Sequence, residues 1–155
     1  MKRLIFTAVI TIFFFTSVAQ AAESFEATAC RSGTATMVQA SKELMVLSFV
    51  LKGMLQSNSE MLHHVSEVCT GTIKRMGEET TQMGYCKYLY PNGDINVVEY
   101  DGVRNGGNWK YLLGTGKWEN IKGSGTWQMI KRAKPIVQGT FQNCIQLNGS
   151  YELPK

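Results

Sequence analysis

The chain has no C-x-x-C pair, no G-x-S-x-G turn and no dense tract of one charge. After its first 22 residues it also has no apolar run long enough to span a bilayer as a helix. Each absence excludes something. His64 and Cys69 are the one close His/Cys pair and have no second pair to complete a zinc site, so no metal is expected. Without a nucleophile elbow, no serine or cysteine is placed for covalent catalysis, and nothing implies a cofactor. Gly116-Lys117 looks like the end of a phosphate loop, but position 111 is Tyr where that motif needs Gly, and Trp118 replaces its hydroxyl residue.

What is present at the N-terminus has the three zones of a secretory signal. Lys2 and Arg3 precede an apolar run from Leu4 to Val18, and Ala19-Gln20-Ala21-Ala22 supplies the small-residue end. The run is shorter than the roughly 20 residues of a spanning helix. The reading is therefore a signal over 1–22, cleaved near Ala21 or Ala22, and one domain over 23–155, secreted or periplasmic and without a transmembrane anchor.

Lys2 and Arg3 are two of the 16 basic residues, so the remaining 14 face 12 acidic ones and the balance falls to +2. That is too weak to argue for nucleic acid. The densest basic cluster, Lys131, Arg132 and Lys134 beside Pro135, reads most simply as a solvated turn rather than a membrane or polyanion patch.

Cys30, Cys69, Cys86 and Cys144 all follow the signal, an even number in a chain sent to an oxidising compartment, so two disulfides are expected. Four cysteines allow three pairings and spacing does not choose among them. A hairpin that sets Cys69 beside Cys86, with neighbouring first and last strands that set Cys30 beside Cys144, makes one of the three geometrically reasonable.

Turn residues recur every eight to twelve positions and divide the rest into short apolar or alternating runs, the pattern of an antiparallel all-β domain. The runs are 27–39, 44–55, 63–76, 83–90, 95–100, the alternation Trp109, Tyr111, Leu113, and then 118–121, 125–130, 136–141 and 150–153. Leu44 to Leu55 has helix-compatible composition, but Val46, Phe49, Val50 and Gly53 favour a strand. Tyr90-Pro91-Asn92-Gly93-Asp94 is a strong turn. Together these give about eight strands, a number that can close into a barrel and remove its edges.

Glycines at 114, 116, 123 and 125 flank aromatic and Ile positions, as expected where strands bend or pack closely. The segment from Gly114 to Trp127, with Gly139-Thr140-Phe141 and the ending Gly149-Ser150-Tyr151-Glu152-Leu153, resembles the calycin-like eight-stranded barrel superfamily that includes allene oxide cyclases and dirigent proteins. It is most similar to small secreted bacterial members that carry Gly-Tyr-Cys, here Gly84-Tyr85-Cys86, near a turn like Asn92-Gly93-Asp94. The resemblance implies a barrel whose cavity guides reactive intermediates by shape and a few polar groups. It carries over no catalytic residue, because its motifs are glycine positions that specify shape rather than chemistry.

Three groups carry candidate chemistry. His63 and His64 with Glu67 form the histidine cluster; on a strand, His63 and Glu67 would share a face while the two histidines point apart. Glu99 and Asp101 share a face and would be an acid/base pair if that face were interior, or a solvated rim if not. Tyr88, Tyr100, Trp109, Tyr111 and Trp127 would line an apolar ligand pocket, or else fill a solid core together with Tyr85, Tyr90, Trp118 and Phe141.

The expected function is binding of a small apolar ligand or a partner protein. The alternatives are a cofactor-free cyclase or isomerase working in the cavity, and an envelope-interaction protein with a filled barrel. Nothing in the composition specifies an oligomeric state. Cavity volume and a buried ionisable group are the two observations that separate these readings.

Overall fold

The computed structural model describes residues 22–154, so the apolar leader lies outside the described residues. Eight strands follow one another: β1 (Glu23–Ala40), β2 (Leu44–Ser57), β3 (Val65–Met76), β4 (Glu79–Leu89), β5 (Ile95–Val103), β6 (Gly106–Gly114), β7 (Lys122–Ala133) and β8 (Thr140–Glu152). Each pairs antiparallel with its neighbour in sequence, and β8 pairs back onto β1, closing the barrel. Among the described residues closure leaves no strand at a free sheet edge, although the β6–β7 seam pairs only from Gly106 to Lys110 on β6.

Period-two alternation sets which side chains face in. On β1 the inward residues run Phe25, Ala27, Ala29, Arg31, Gly33, Ala35, while their neighbours are mostly exposed. The wall is pulled tight by glycines placed under aromatic side chains. Trp109 pairs with Gly125, which pairs with Gly149, which pairs with Phe25, so the indole lies across two strands and reaches the Phe25 ring at 5.7 Å. A methyl group at Gly125 or Gly149 would meet the Trp109 ring at 2.6 or 2.3 Å. Tyr100 likewise lies over Gly84 and Gly71, and Trp127 meets Gly102. These glycines are therefore sites of close approach that any side chain would block.

The two ends of the barrel differ. At one, the 3₁₀ turns Glu60–Leu62 and Gly116–Trp118 fold over the opening, and Leu62, Trp118 and Tyr151 are almost wholly buried. Trp118 stacks on Tyr90 with ring centroids 4.4 Å apart. At the other end the short connections β1–β2, β3–β4, β5–β6 and β7–β8 ring an open mouth.

Three local expectations are corrected. Residues 118–121 form the tail of a 3₁₀ turn rather than a strand, because Gly116 at φ +57° packs against the Asp94 carboxylate and turns the chain inward. Most of 136–141 is a loop, with β8 beginning only at Thr140 after Gly139 at φ +81°. His63 and His64 precede β3, and His64 has φ +58°, so the two rings meet at 3.9 Å instead of pointing to opposite faces. Cys30 is bonded to Cys144 between β1 and β8, and Cys69 to Cys86 between β3 and β4.

Candidate functional site

The barrel is hollow. Its interior holds a cavity of about 390 Å³ with mainly apolar walls, including Phe49, Leu51, Val98, Ile145 and Leu147. That volume is within the usual range for small-molecule sites, about 300–1,000 Å³. The five aromatics singled out from sequence, Tyr88, Tyr100, Trp109, Tyr111 and Trp127, all line it. They come from β4, β5, β6 and β7, where alternation turns them inward. The indole nitrogens of Trp109 and Trp127 are used by the wall, donating to the Thr126 and Asp101 carbonyls at 3.1 and 2.9 Å.

One polar row crosses this apolar interior. Register places Asn143, Arg31, Gly53, Glu67 and Tyr88 side by side on β8, β1, β2, β3 and β4. Gly53 is the empty position that lets Arg31 reach across β2 toward Glu67: a methyl group there would sit 2.7 Å from Arg31 Cγ. Arg31 Nε lies 3.7 Å from Glu67 Oε1 and donates to Asn143 Oδ1 at 3.3 Å. Glu67 is 5% exposed, and its Oε1 accepts no hydrogen bond among the described residues.

Burial pushes the Glu67 carboxyl above its ordinary range, against the pull of Arg31 and then of the Tyr88 hydroxyl. Burial and the neighbouring carboxylate push the Tyr88 phenol well up, and Tyr100 is pushed up to about 12, chiefly by burial. Tyr90 and Tyr111 are raised for the same first reason. The cavity wall therefore presents neutral phenols, while the Glu67 carboxyl beside Tyr88 is fully buried and is not among the lining residues. The phenols that line the cavity can orient an oxygen-bearing ligand by hydrogen bonding.

Glu67, Cys69 and Cys86 bring ligand atoms within 4.8 Å of one another, which would suit an ion if the sulfurs were thiolates. They are bonded to each other, so the cluster offers one carboxylate alone and does not fit a metal.

The other sequence candidates lie elsewhere. Glu99 and Asp101 sit on the outer wall beside a shallow groove, with Glu99 Oε1 2.6 Å from Lys110 Nζ. They do not reach the interior, because Asn96 and Val98 occupy the inward phase of β5. His63 caps the end of β2, its Nδ1 2.9 Å from the Ser57 carbonyl oxygen, and does not join Glu67. Sequence reasoning passed over Arg31. The signal was there: an arginine in phase with Phe25, Ala27 and Ala29 on an apolar face is a buried charge in search of a partner.

No protein-family model matches the chain, and no curated protein matches it. Among solved structures it is similar to the pterocarpan synthase dirigent protein GePTS1, at 9% identity over 94% of this chain and 100% of that one, with a TM-score of 0.54. It is also similar to the pterocarpan synthase dirigent protein PsPTS1, at 11% identity over 88% and 99% of the two chains, with a TM-score of 0.53. Identities this low show the fold alone, a dirigent-like eight-stranded barrel.

Proposed function

We propose that this protein is exported and binds a small, mainly apolar molecule inside its barrel. The observation that carries the reading is the cavity of about 390 Å³, walled by apolar side chains and opening at one end. A barrel serving only as an envelope scaffold would have its interior filled by large side chains, as small barrels usually do. The two disulfides fit an oxidising compartment, which agrees with residues 1–22 acting as a signal removed near Ala21 or Ala22.

A second reading is favoured by the polar row. A carboxyl raised by burial beside the Tyr88 phenol would serve a cofactor-free isomerisation or cyclisation, with Tyr88 touching the substrate and Arg31 holding Glu67 in place. The dirigent name of the structural neighbours is compatible with such a reading.

Native mass spectrometry of the protein purified from its own host's exported fraction tests both. A co-purifying compound that is lost in Trp109→Ala supports cavity binding. If that compound is chemically changed by the wild type but not by Tyr88→Phe, the second reading holds. A clean mass without adduct, from protein that also takes up no apolar probe, overturns both.

A further inference from the structure

The open end of the barrel is chemically lopsided. Three segments meet on one side of the mouth: the end of β1 (36–40), the tip of the β5–β6 hairpin (102–107), and the end of β7 with the β7–β8 connection (129–139). Their adjacency is fixed by hydrogen bonds, Ala35 to the Gly139 carbonyl, Met129 to the Asn105 carbonyl, and Arg132 Nη2 to Asn105 Oδ1 at 2.8 Å.

These segments carry Arg104, Lys131, Arg132 and Lys134 and not one acidic residue. None of the four cations has a carboxylate within salt-bridge distance among the described residues, where the ion pairs are Arg31–Glu67 and Lys110–Glu99. The same segments hold the four most exposed large apolar side chains described: Ile136 at 89%, Val38 at 64%, Val103 at 63% and Val137 at 61%. Met37 and Ile130 are also about half exposed there.

Isolated exposed apolar residues need no explanation, but a cluster of them flanked by cations that lack a carboxylate partner does, the Arg104 and Arg132 guanidinium groups donating instead to the Glu78 carbonyl and Asn105 Oδ1 respectively. We infer that this half of the mouth docks on a lipid surface bearing anionic headgroups, with Ile136 and Val137 entering the interfacial zone and Arg104, Lys131, Arg132 and Lys134 meeting the headgroups. Apolar tips among cations match that boundary, where acyl carbons lie just beneath negative charge. A second copy of the chain fits poorly, because a symmetric pairing would set four cations without carboxylate partners against four more. Docked this way, the barrel would face its open mouth to the bilayer. An apolar ligand could then pass between membrane and cavity with little exposure to water; that consequence rests on the binding function proposed above, whereas the docking rests on the rim alone.

The test uses residues 23–155, which contain the whole closed barrel and omit the apolar leader. Its binding to vesicles of phosphatidylcholine alone is compared with binding to equal mixtures of phosphatidylcholine and phosphatidylglycerol. Binding to the mixed vesicles is expected, and to weaken with salt. Lys131→Gln with Lys134→Gln should reduce it by about thirtyfold, from about 1 kcal/mol per basic residue near an anionic surface and about 1.4 kcal/mol per tenfold. Lys52→Gln with Lys122→Gln, which removes equal charge away from the mouth, should have a much smaller effect. Ile136→Ser with Val137→Ser should also abolish most of the binding while leaving thermal unfolding unchanged.

No preference for the mixed vesicles overturns the inference, as does equal loss from both lysine pairs. A dimer in sedimentation that Ile136→Ser with Val137→Ser dissolves also overturns it, in favour of self-association. Val98→Phe, which narrows the cavity, should leave vesicle binding intact, so failure of docking and failure of ligand binding are read separately.

Discussion

Replacing Arg31 by Met removes the counter-charge of a buried carboxylate while nearly keeping its volume, and the loss should depend on pH in a defined direction. The Arg31 and Glu67 side chains are 9% and 0% exposed and 3.7 Å apart. Breaking such a pair by deleting one partner typically costs about 3–5 kcal/mol. Glu67 has an escape, which is to take up a proton. From an ordinary value of 4.5, that costs at most about 3.4 kcal/mol at pH 7 and about 0.7 kcal/mol at pH 5, at about 1.36 kcal/mol per pH unit. A carboxyl raised on folding holds its proton better in the folded state than in the unfolded one, so stability falls as pH rises above 4.5. Arg31 limits that fall in the wild type. Without it, Arg31→Met should lose roughly 3 kcal/mol at pH 7 and about 2–3 kcal/mol less than that at pH 5, measured by urea unfolding with the disulfides intact. An equal loss at both pH values would refute the pairing, leaving Arg31 as a packing residue.

Gly149→Ala should destabilise by about 1–3 kcal/mol and shift the tryptophan emission, because its methyl group would meet the Trp109 ring at 2.3 Å; calorimetry and fluorescence check this. Removing the Cys30–Cys144 bond, which closes a separation of 114 residues, should cost more than removing Cys69–Cys86, which closes 17, by about 1–2 kcal/mol on loop entropy in matched unfolding experiments. Glu99→Gln with Asp101→Asn should change stability by under about 1 kcal/mol and leave uptake of apolar probes unaltered, since both face outward and the Glu99–Lys110 pair is a surface one.

How much of this was legible in the sequence depended on how local the cause was. Pro91-Asn92-Gly93 fixes its own turn, so the β4–β5 hairpin could be read directly. Strict alternation put Trp109 and Tyr111 on one face, and closure made that face interior. The histidines were misplaced because the turn before them is held by burial of Leu62 against the barrel floor, a contact that no neighbouring residue announces. Residues 136 and 137 look like strand by composition, but the close β7–β8 pairing leaves them no partner strand, and Ile136 ends up exposed. The Arg31–Glu67 pair depends on register across three strands and on the vacancy at Gly53 between them. Gly53 read in isolation says only that a helix is weakened there.

The most direct test of a hollow, ligand-binding barrel is titration of residues 23–155 with an uncharged naphthylamine dye, reading energy transfer from the cavity tryptophans Trp109 and Trp127. Saturable one-to-one binding, weakened at least about tenfold by Val98→Phe with the fold retained, is the expected result, since that ring would occupy the ligand's space. No saturable binding by the wild type, or binding that Val98→Phe leaves unchanged, would contradict it.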